Sequence, residues 1–281
     1  MLSGKLFWEL WADRLFTLAS WILGGLGLFL PVSIVGFLIY RGVQAISWSF
    51  LVDAPKGFPL GLEGGIRPAI EGSLALIALG LAIAVPFGVG GAIYLSEYGA
   101  SSSWERMARF AAECLAAIPS IIYGLFGYSF LVVYMSLKIS LVAGGITLGL
   151  LMFPLILIGA HEAMQAVDRA YRESALSLGV SRLYVARRII LTKAWPGIVA
   201  ATVLAAGHAV GSAAPVLFTA SVIFSRGGLD LTAPVMTLPT HLYYLVSEAS
   251  SPEQTYGTAV ILIIGLLLSN SVATLAKGWK Q

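Results

Sequence analysis

The stretch RESALSLGVSRLYVARRIILTKAWPG, residues 172–197, is a charged segment in a chain that otherwise avoids charge. It holds five of the seventeen Lys and Arg residues, and apolar runs long enough to span a bilayer flank it on both sides. Gly179 suits the left-handed position that ends a helix, and Ser181 can cap the start of the next helix. The local chemistry therefore predicts a hairpin of two short helices, over about residues 163–195, between two membrane spans.

Each predicted hairpin helix carries a modestly apolar face. The positions that recur near helical spacing are Val167, Tyr171, Ser174 and Leu178 in the first helix and Leu183, Ala186 and Ile190 in the second. A charged hairpin with such a face is suited to dock into a groove on a soluble partner. The alternative is a basic loop that only fixes the topology of the neighbouring spans.

The composition identifies a membrane protein. Of the 281 residues, 58% are hydrophobic and 11% are charged, whereas soluble domains carry about twice that share of charge. The formal charge of +3 is too small and too scattered to indicate nucleic-acid binding. The single Cys114 excludes an internal disulfide, and its apolar surroundings predict a buried, inert thiol.

Six apolar runs predict six transmembrane helices and an all-α fold. The predicted spans are residues 15–40, 72–96, 114–137, 139–160, 194–225 with an interfacial tail, and 254–276. The segments 41–71 and 226–253 are rich in Gly and Pro and are expected to be loops. Residues 1–14 form a short amphipathic segment before a membrane domain of residues 15–281, and the first span is too long for a signal-peptide core.

The distribution of Lys and Arg predicts the orientation of the chain. With a cytoplasmic N-terminus, twelve Lys and Arg residues fall on inside segments and five on outside segments. Because inside segments carry the excess of Lys and Arg in membrane proteins, both termini and the hairpin are expected in the cytoplasm.

The sequence lacks the motifs that catalysis by this chain would need. No Gly-x-x-x-x-Gly-Lys-Ser/Thr motif is present, so any ATP hydrolysis must come from a partner. His161, His208 and His241 are far apart and Cys114 has no spaced companion, so no metal site is predicted. His208 and Ser212 have no acidic residue or second base beside them, which indicates a polar contact rather than a hydrolase. The sequence thus offers no catalytic residue.

His208 lies inside the fifth predicted span, where an ionisable residue usually faces a cavity or another helix. It either lines a translocation path or makes a neutral hydrogen bond to a neighbouring helix. Ser212 is expected on the same helical face, and Pro215 would free a backbone carbonyl that can line a wet cavity. This face is the predicted path, with a packing role for His208 as the alternative.

The hairpin resembles the coupling motif of ABC importer permeases, which reads Glu-Ala-Ala, three residues, Gly, nine residues, Ile-x-Leu-Pro. The matching residues are Glu173, Ala175, Gly179, Ile189 and Leu191. Ser174 replaces an Ala, and Thr192 replaces the closing Pro. In that family the loop is cytoplasmic and transmits the movement of a separate ATPase. The resemblance implies that the residues coupling to the ATPase are Arg172, Glu173, Ser174, Ala175, Leu178, Gly179 and Arg182.

Five further stretches resemble phosphate-transporter permeases of the PstA/PstC type, and their order is closer to PstA. They are residues 65–74, 94–98, 118–127, 213–220 and 236–239. The resemblance implies a translocation path that includes Pro119, Ser120, Tyr123, His208, Ser212 and Pro215. The chain departs from the family at His208 and Ser212, where the family has Arg and Glu, so it lacks a fixed cation there.

The resemblance implies a type I importer permease fold, embedded in lipid in the inner or plasma membrane of a prokaryote. The implied partners are a second, PstC-like permease subunit, a dimer of PstB-like ATPase subunits and an external, PstS-like binding protein. No cofactor is expected on this chain, since ATP and Mg act at the ATPase. The expected substrate is phosphate. The alternatives are another oxyanion, such as molybdate, tungstate or sulfate, and a channel or carrier that works without an ATPase.

Overall fold

The structure is a computed structural model that describes residues 2–57, 63–99, 102–225, 228–248 and 251–278. Helices make up most of these ranges, which confirms the predicted all-α fold. In chain order the helices are α1 (Leu2–Gly42), α2 (Trp48–Val52), α3 (Arg67–Glu97), α4 (Ser103–Ala116), α5 (Ser120–Gly127), α6 (Leu141–Gln165), α7 (Arg169–Ser177), α8 (Arg182–Tyr184), α9 (Leu191–Val210), α10 (Ala213–Thr219), α11 (Leu238–Ser247) and α12 (Pro252–Gly278). Two short antiparallel strands, β1 (Pro55–Lys56) and β2 (Glu63–Gly64), precede α3. π-helical turns over Tyr128–Tyr134 and Val185–Ile190 extend α5 and join α8 to α9.

Within the described ranges, five helices are long and apolar enough to cross a membrane, and a bent pair can supply a sixth crossing. The predicted first, second, fourth and sixth spans are confirmed as α1, α3, α6 and α12. The fifth span is formed by the continuous helix that runs through α8 and α9.

Contacts between helix ends show that the bent pair, α4 and α5, does cross. Glu97 at the end of α3 forms an ion pair with Arg172 in α7, which directly follows α6. Both α3 and α6 therefore end on the side of the hairpin. Because two helices that end on the same side must be joined by a chain that crosses back, the segment between them makes one crossing.

The two terminal helices complete the six crossings. Gln254 at the start of α12 donates a hydrogen bond to the carbonyl of Gly64, just before α3 begins. Gly42 at the end of α1 lies against the main chain of Tyr256 in α12. The first helix therefore begins, and the last helix ends, on the side of the hairpin.

The predicted third span, residues 114–137, is wrong in its bounds. α4 and α5 are bent by 92°, and the break falls between Ala116 and Ser120. Pro119 explains the break, because the ring of a proline disfavours helical geometry at the residue before it. The run of uncharged residues hides the bend, since hydropathy does not report the direction of a helix axis.

Tyr123 holds the two arms of this bend together. Its hydroxyl in α5 donates to the main-chain carbonyl of Leu115 in α4 at 2.9 Å, which satisfies one of the carbonyls that a helix end leaves free. Cys114 lies on the exposed side of α4, so the prediction of a buried thiol is wrong.

The predicted fifth span, residues 194–225, also has different bounds. Its helix begins inside the hairpin at Arg182 and ends at Val210, so the second hairpin helix is the first part of the span and not a separate element. A turn at Gly211 follows, and α10 is a separate short helix. The break escapes a hydropathy count because the chain is apolar on both sides of it.

Two short helices lie in the segments predicted as loops. Ser47 caps α2 by accepting a hydrogen bond from the N–H of Phe50 at 3.1 Å. Thr237 and Thr240 form a reciprocal capping box at the start of α11. Side-chain caps of this kind stabilise helices that are too short to be recognised by apolar periodicity.

The core lies where α3, α6, α9 and α10 meet. Leu76, Met152 and Val216 are buried in it and come from three of these helices. Glycines allow α3 and α6 to approach closely: a Cβ atom added to Gly149 would lie 3.2 Å from the carbonyl of Gly80. Close packing of small residues is how helices associate in lipid, where burial of apolar surface gives no driving force.

α1 stands outside this core. No residue in its apolar window is buried. Near its end, Phe37 packs edge-on against Tyr256 of α12, with ring centroids 5.9 Å apart. The first helix is thus attached to the last one.

Candidate functional site

The hairpin turn follows from the sequence as predicted. Gly179 has a φ of +76°, the left-handed geometry that glycine adopts without strain. The N–H of Gly179 bonds to the carbonyl of Leu176 at 2.9 Å and that of Val180 to Ala175 at 3.4 Å, which is the Schellman pattern at a helix end. The Ser181 hydroxyl accepts a hydrogen bond from the N–H three residues later at 3.3 Å. The predicted roles of the glycine stop and the serine cap are confirmed.

The hairpin has an inner and an outer face. Ala175, Val185 and Ile190 are buried on the inner face, where they pack with Ala92 of α3 and Met164 of α6. The predicted coupling residues that are exposed on the hairpin are Glu173, Ser174, Leu178, Gly179 and Arg182. Leu178 is 83% exposed. The outer face therefore presents an apolar side chain among charged and polar ones.

Arg172 anchors the hairpin to the bundle and is not part of the outer face. Its guanidinium donates a hydrogen bond from Nε to Oε1 of Glu97 at 3.0 Å, and Nη2 lies 3.0 Å from the same oxygen in an ion pair. It also donates to the carbonyls of Met164 at 2.8 Å and Val167 at 3.0 Å. The Arg172 and Glu97 side chains are 19% and 8% exposed. Because the guanidinium is planar and charge-assisted bonds are strong, this set of contacts fixes the orientation of α7.

A second polar contact lies at the other end of α3. The main-chain N–H of Leu238, in α11, donates to the hydroxyl of Ser73 at 2.8 Å in a buried position. Beside it, Gly72 lies so close to the carbonyl of Met236 that no Cβ atom would fit. The two ends of α3 are therefore bonded to the hairpin and to α11, respectively.

α5 and α10 also approach closely. A Cβ atom added to Gly124 would lie 2.9 Å from the carbonyl of Ala214 and from Cα of Pro215. Thr219 donates its hydroxyl to the carbonyl of Pro215 at 2.7 Å. The contact of Gly124 with Ala214 and Pro215 places the sequence stretches 118–127 and 213–220 side by side in the core.

An open groove of 560 Å³ runs between α6 and α9. It extends from Glu162, at the hairpin end of α6, to His208 on α9. Along α9 it reaches from Gly197 to His208, eleven residues or roughly 16 Å of helix. The other lining residues are small or apolar: Leu155, Ile158, Gly159, Ala163, Ala201, Leu204 and Ala205. Among the described residues no Lys or Arg lines the groove.

The candidate path residues of the fifth span are placed differently from one another. His208 is exposed to the groove, whereas Ser212 is buried and donates its hydroxyl to the main-chain carbonyl of His208 at 2.9 Å, not to the ring. Pro215 lies in the first turn of α10, where an N–H has no helical partner to lose. The prediction that Pro215 frees a carbonyl inside the span is therefore wrong.

The other three candidates lie at the bend before α5 and in α5 itself. Tyr123 is buried in the core, Ser120 is partly buried, and Pro119 is exposed at the start of the helix. The six candidates do not share one surface, and His208 alone lines the groove.

Two charged features were missed from the sequence. Glu162 lies just beyond the charge-free run of the fourth predicted span, and α6 carries it into the groove. Glu105 of α4 lies 3.2 Å from Nε2 of the buried His161 of α6. The position of Glu162 in the groove and the contact of Glu105 with His161 both depend on how the helices pack, so the local sequence gives no signal for them. Within the described ranges, no three His, Cys, Asp or Glu side chains gather to hold a metal ion.

Comparison with known protein families gives a match over residues 84–279 to the family described as "Binding-protein-dependent transport system inner membrane component". The chain is 36% identical over 240 residues to phosphate transport system permease protein PstA 2 of Mycobacterium tuberculosis (strain CDC 1551 / Oshkosh), covering 82% of this chain and 76% of the relative. It is 31% identical over 271 residues to phosphate transport system permease protein PstA of Yersinia pestis, covering 96% and 91%.

Solved structures show the same fold at low sequence identity. An inward-facing MetNI methionine ABC transporter matches with a TM-score of 0.61 at 18% identity, over 77% of this chain and 95% of that chain. A bacterial ABC transporter involved in the import of alginate matches with a TM-score of 0.59 at 14% identity, over 97% of this chain and all of that chain. Both are ABC transporters, and the shared fold confirms the predicted permease architecture.

Proposed function

This chain belongs to the family of binding-protein-dependent transport system inner membrane components, and from that premise we propose that the importer it serves carries phosphate. The chain is a permease subunit of an ABC importer and a multi-pass protein of the inner membrane. It is not itself an enzyme, because the ATPase of such importers is a separate subunit. The assignment of phosphate as the substrate rests on one observation, the sequence identity of 30% or more to several PstA permeases over most of the chain.

Importers of this family combine two permease subunits with an ATPase and a binding protein. We assign PstC-like, PstB-like and PstS-like proteins to these three roles, by the same likeness to PstA. ATP and Mg then act at the PstB-like subunits. The sequence of this chain has no phosphate-cradling motif, which agrees with that division of labour.

The orientation follows from the charges. Among the described residues, eleven of fifteen Lys and Arg lie on the segments that the fold brings to the side of the hairpin, and this excess supports a cytoplasmic hairpin and cytoplasmic termini. Reporter fusions after Ser181 and after Ser247 test this, since they lie on opposite sides of the bundle. An external signal after Ser181 contradicts the proposal.

The outer face of the hairpin is the proposed ATPase contact. Leu178, Glu173 and Arg182 are exposed there, and the Schellman turn at Gly179 holds them in place. An exposed leucine on a rigid turn is a suitable anchor for an apolar pocket of a partner. Arg172 supports this face from behind through its bonds to the bundle.

The groove between α6 and α9 is the proposed share of this subunit in the translocation path. His208 supports this assignment because an ionisable side chain at membrane depth usually faces a wet space. A neutral imidazole can donate a hydrogen bond to an oxyanion and can become a cation by protonation. Since no Lys or Arg lines the groove among the described residues, a fixed positive charge for a divalent anion must come from the second permease.

The departure from the family at His208 and Ser212 leaves a second candidate, an importer of another oxyanion such as molybdate, tungstate or sulfate. Uptake of radiolabelled phosphate by the reconstituted complex, with each oxyanion as unlabelled competitor, separates the two. Phosphate import is supported if uptake depends on ATP and unlabelled phosphate competes best. Inhibition that is stronger with another oxyanion contradicts phosphate as the substrate.

A further inference from the structure

We propose that α3 is a strut that couples the hairpin at one end of the bundle to α11 at the other end. The inference rests on the proposed function, in which the hairpin receives the movement of the ATPase. It adds a route by which that movement reaches the opposite face of the membrane protein, and it assigns positioning roles to Glu97 and Ser73.

The hairpin end of the strut is held by charge and by packing. Arg172 makes two 3.0 Å contacts to Glu97 at the last turn of α3, although the two residues are 75 positions apart in the chain. Next to the ion pair, Ala92 of α3 packs in one buried cluster with Ala175 and Val185 of the hairpin. A displacement of the hairpin therefore acts on α3 directly, and not only through the two helices to which the hairpin is covalently joined.

The opposite end of the strut is held by a buried hydrogen bond and a close contact. Ser73 accepts the N–H of Leu238 at 2.8 Å, and Gly72 lies against the carbonyl of Met236. The capping box of Thr237 and Thr240 fixes the conformation of the start of α11, where this contact is made. Both polar groups are buried, so separating them without a replacement partner is costly.

Between these contacts α3 is an uninterrupted helix. Ser73 and Glu97 are 24 residues apart, which is roughly 36 Å along the helix axis and enough to cross the bilayer core. Gly80 and Gly88 allow α3 to lie flush against Met152 and Ile156 of α6, and this packing supports the helix along its length.

The covalent route from the hairpin to α11 is less suited to transmit a displacement. It follows α9 to Val210 and turns at Gly211. It then passes through α10 and a segment in which residues 220–225 and 228–237 are not helical. Each break can absorb motion by backbone rotation. In contrast, α3 is one continuous helix that is bonded at both ends. Pro86 is the proline within it where the helix can bend.

The test compares Glu97→Gln, Ser73→Ala and the double variant in the complete transporter, reconstituted with its second permease, ATPase and binding protein. The readouts are ATP hydrolysis stimulated by the binding protein and radiolabelled phosphate transported per ATP hydrolysed. We expect each single variant to assemble and to lower the transport per ATP roughly fivefold, the lower end of typical coupling effects. If one strut carries the signal, the double variant transports as much phosphate per ATP as the less active of the two single variants.

Glu113→Gln is the matched control, because it removes a carboxylate from an exposed ion pair with Arg109 that does not touch α3. Its transport per ATP should equal that of the unmodified transporter. Wild-type transport per ATP in Glu97→Gln or Ser73→Ala overturns the inference. Losses that multiply in the double variant also overturn it, since they indicate two independent roles.

A separate measurement distinguishes failure of the inference from failure of the proposed function. A cysteine introduced by Leu178→Cys, with Cys114→Ser removing the native thiol, should form a cross-link to the ATPase subunit. Lack of this cross-link overturns the proposed docking and the strut with it. A cross-link together with normal transport per ATP in Glu97→Gln overturns the strut alone.

Discussion

Gly72 faces the main-chain carbonyl oxygen of Met236 with no room between them for a Cβ atom. This contact joins the first turns of α3 to the segment that leads into α11. It depends on the absence of a side chain, so it can be tested by the smallest possible substitution.

Gly72→Ala should lower the stability of the purified protein, because the added methyl group must push α3 away from α11. The expected loss is about 1–3 kcal/mol, as for other overpacked interiors. Gly90→Ala on the same helix is the control, since nothing lies within 4 Å of the added Cβ there. Thermal unfolding in detergent measures both, and equal midpoints for the two variants would contradict the close contact.

Gly179→Val should disrupt the hairpin turn through the backbone alone, because nothing lies within 4 Å of an added Cβ atom and φ is +76°. Left-handed geometry costs about 1–2 kcal/mol for an ordinary residue, and more for a β-branched one. We expect normal membrane insertion with loss of ATPase co-purification and of uptake. Gly179→Asn should retain more of both, since asparagine tolerates this geometry. Wild-type uptake by the valine variant would contradict a role for the turn.

His208→Ala should reduce the initial uptake rate strongly, and His208→Arg should retain more of it, if the groove lines the path. Arginine supplies donors and a positive charge at the same place in the groove, whereas alanine supplies neither. The two rates are compared at matched membrane abundance. A faster rate for the alanine variant would show that His208 only packs against its neighbours.

His241 should make the stability of the protein sensitive to acid. It is fully buried on α11, outside the membrane-crossing helices, and its ring nitrogens find no hydrogen-bond partner among the described residues. Burial lowers its pKa from 6.5 to about 4, because the charged form is disfavoured there. The folded state thus binds this proton less readily than the unfolded state. The contribution of the neutral His241 to the stability of the folded state is complete above pH 6.5 and is lost as the pH falls from 6.5 towards 4.

At about 1.4 kcal/mol per pKa unit, the loss over that window is on the order of 3 kcal/mol. Thermal unfolding at a series of pH values measures it. His241→Leu should flatten the dependence between pH 6.5 and 4, whereas Glu248→Gln, a change at an exposed position at the end of α11, should leave it in place. An unchanged acid dependence in the leucine variant would exclude His241 as its source.

The parts of the site that the sequence predicts are those set by neighbours in the chain. Gly179 and Ser181 determine the hairpin turn through their own backbone and side-chain chemistry, and both roles are confirmed. The pairing of Arg172 with Glu97 joins residues 75 positions apart and has no local signal. Such contacts arise only when helices pack.

The errors in the spans have a similar cause. A hydropathy count finds how much apolar chain is present but not where a helix turns, so it merged α4 with α5 and extended the fifth span past Gly211. Pro119 was a visible signal for the first break. The chain around Gly211 is apolar on both sides, and Glu162 lies only two residues beyond a predicted span end, in a helix longer than the charge pattern suggests.

The attachment of α1 to α12 has a consequence for synthesis of the protein. Membrane insertion proceeds from the N-terminal side, so α1 enters the bilayer before the other described helices, yet its aromatic contact at Phe37 waits for Tyr256, more than two hundred residues later. Contacts between such distant segments form late in folding, because a long loop must first close. A nascent chain that stops before α12 therefore leaves α1 without this aromatic contact, and the junction of α1 with α12 marks a chain in which α12 has been made.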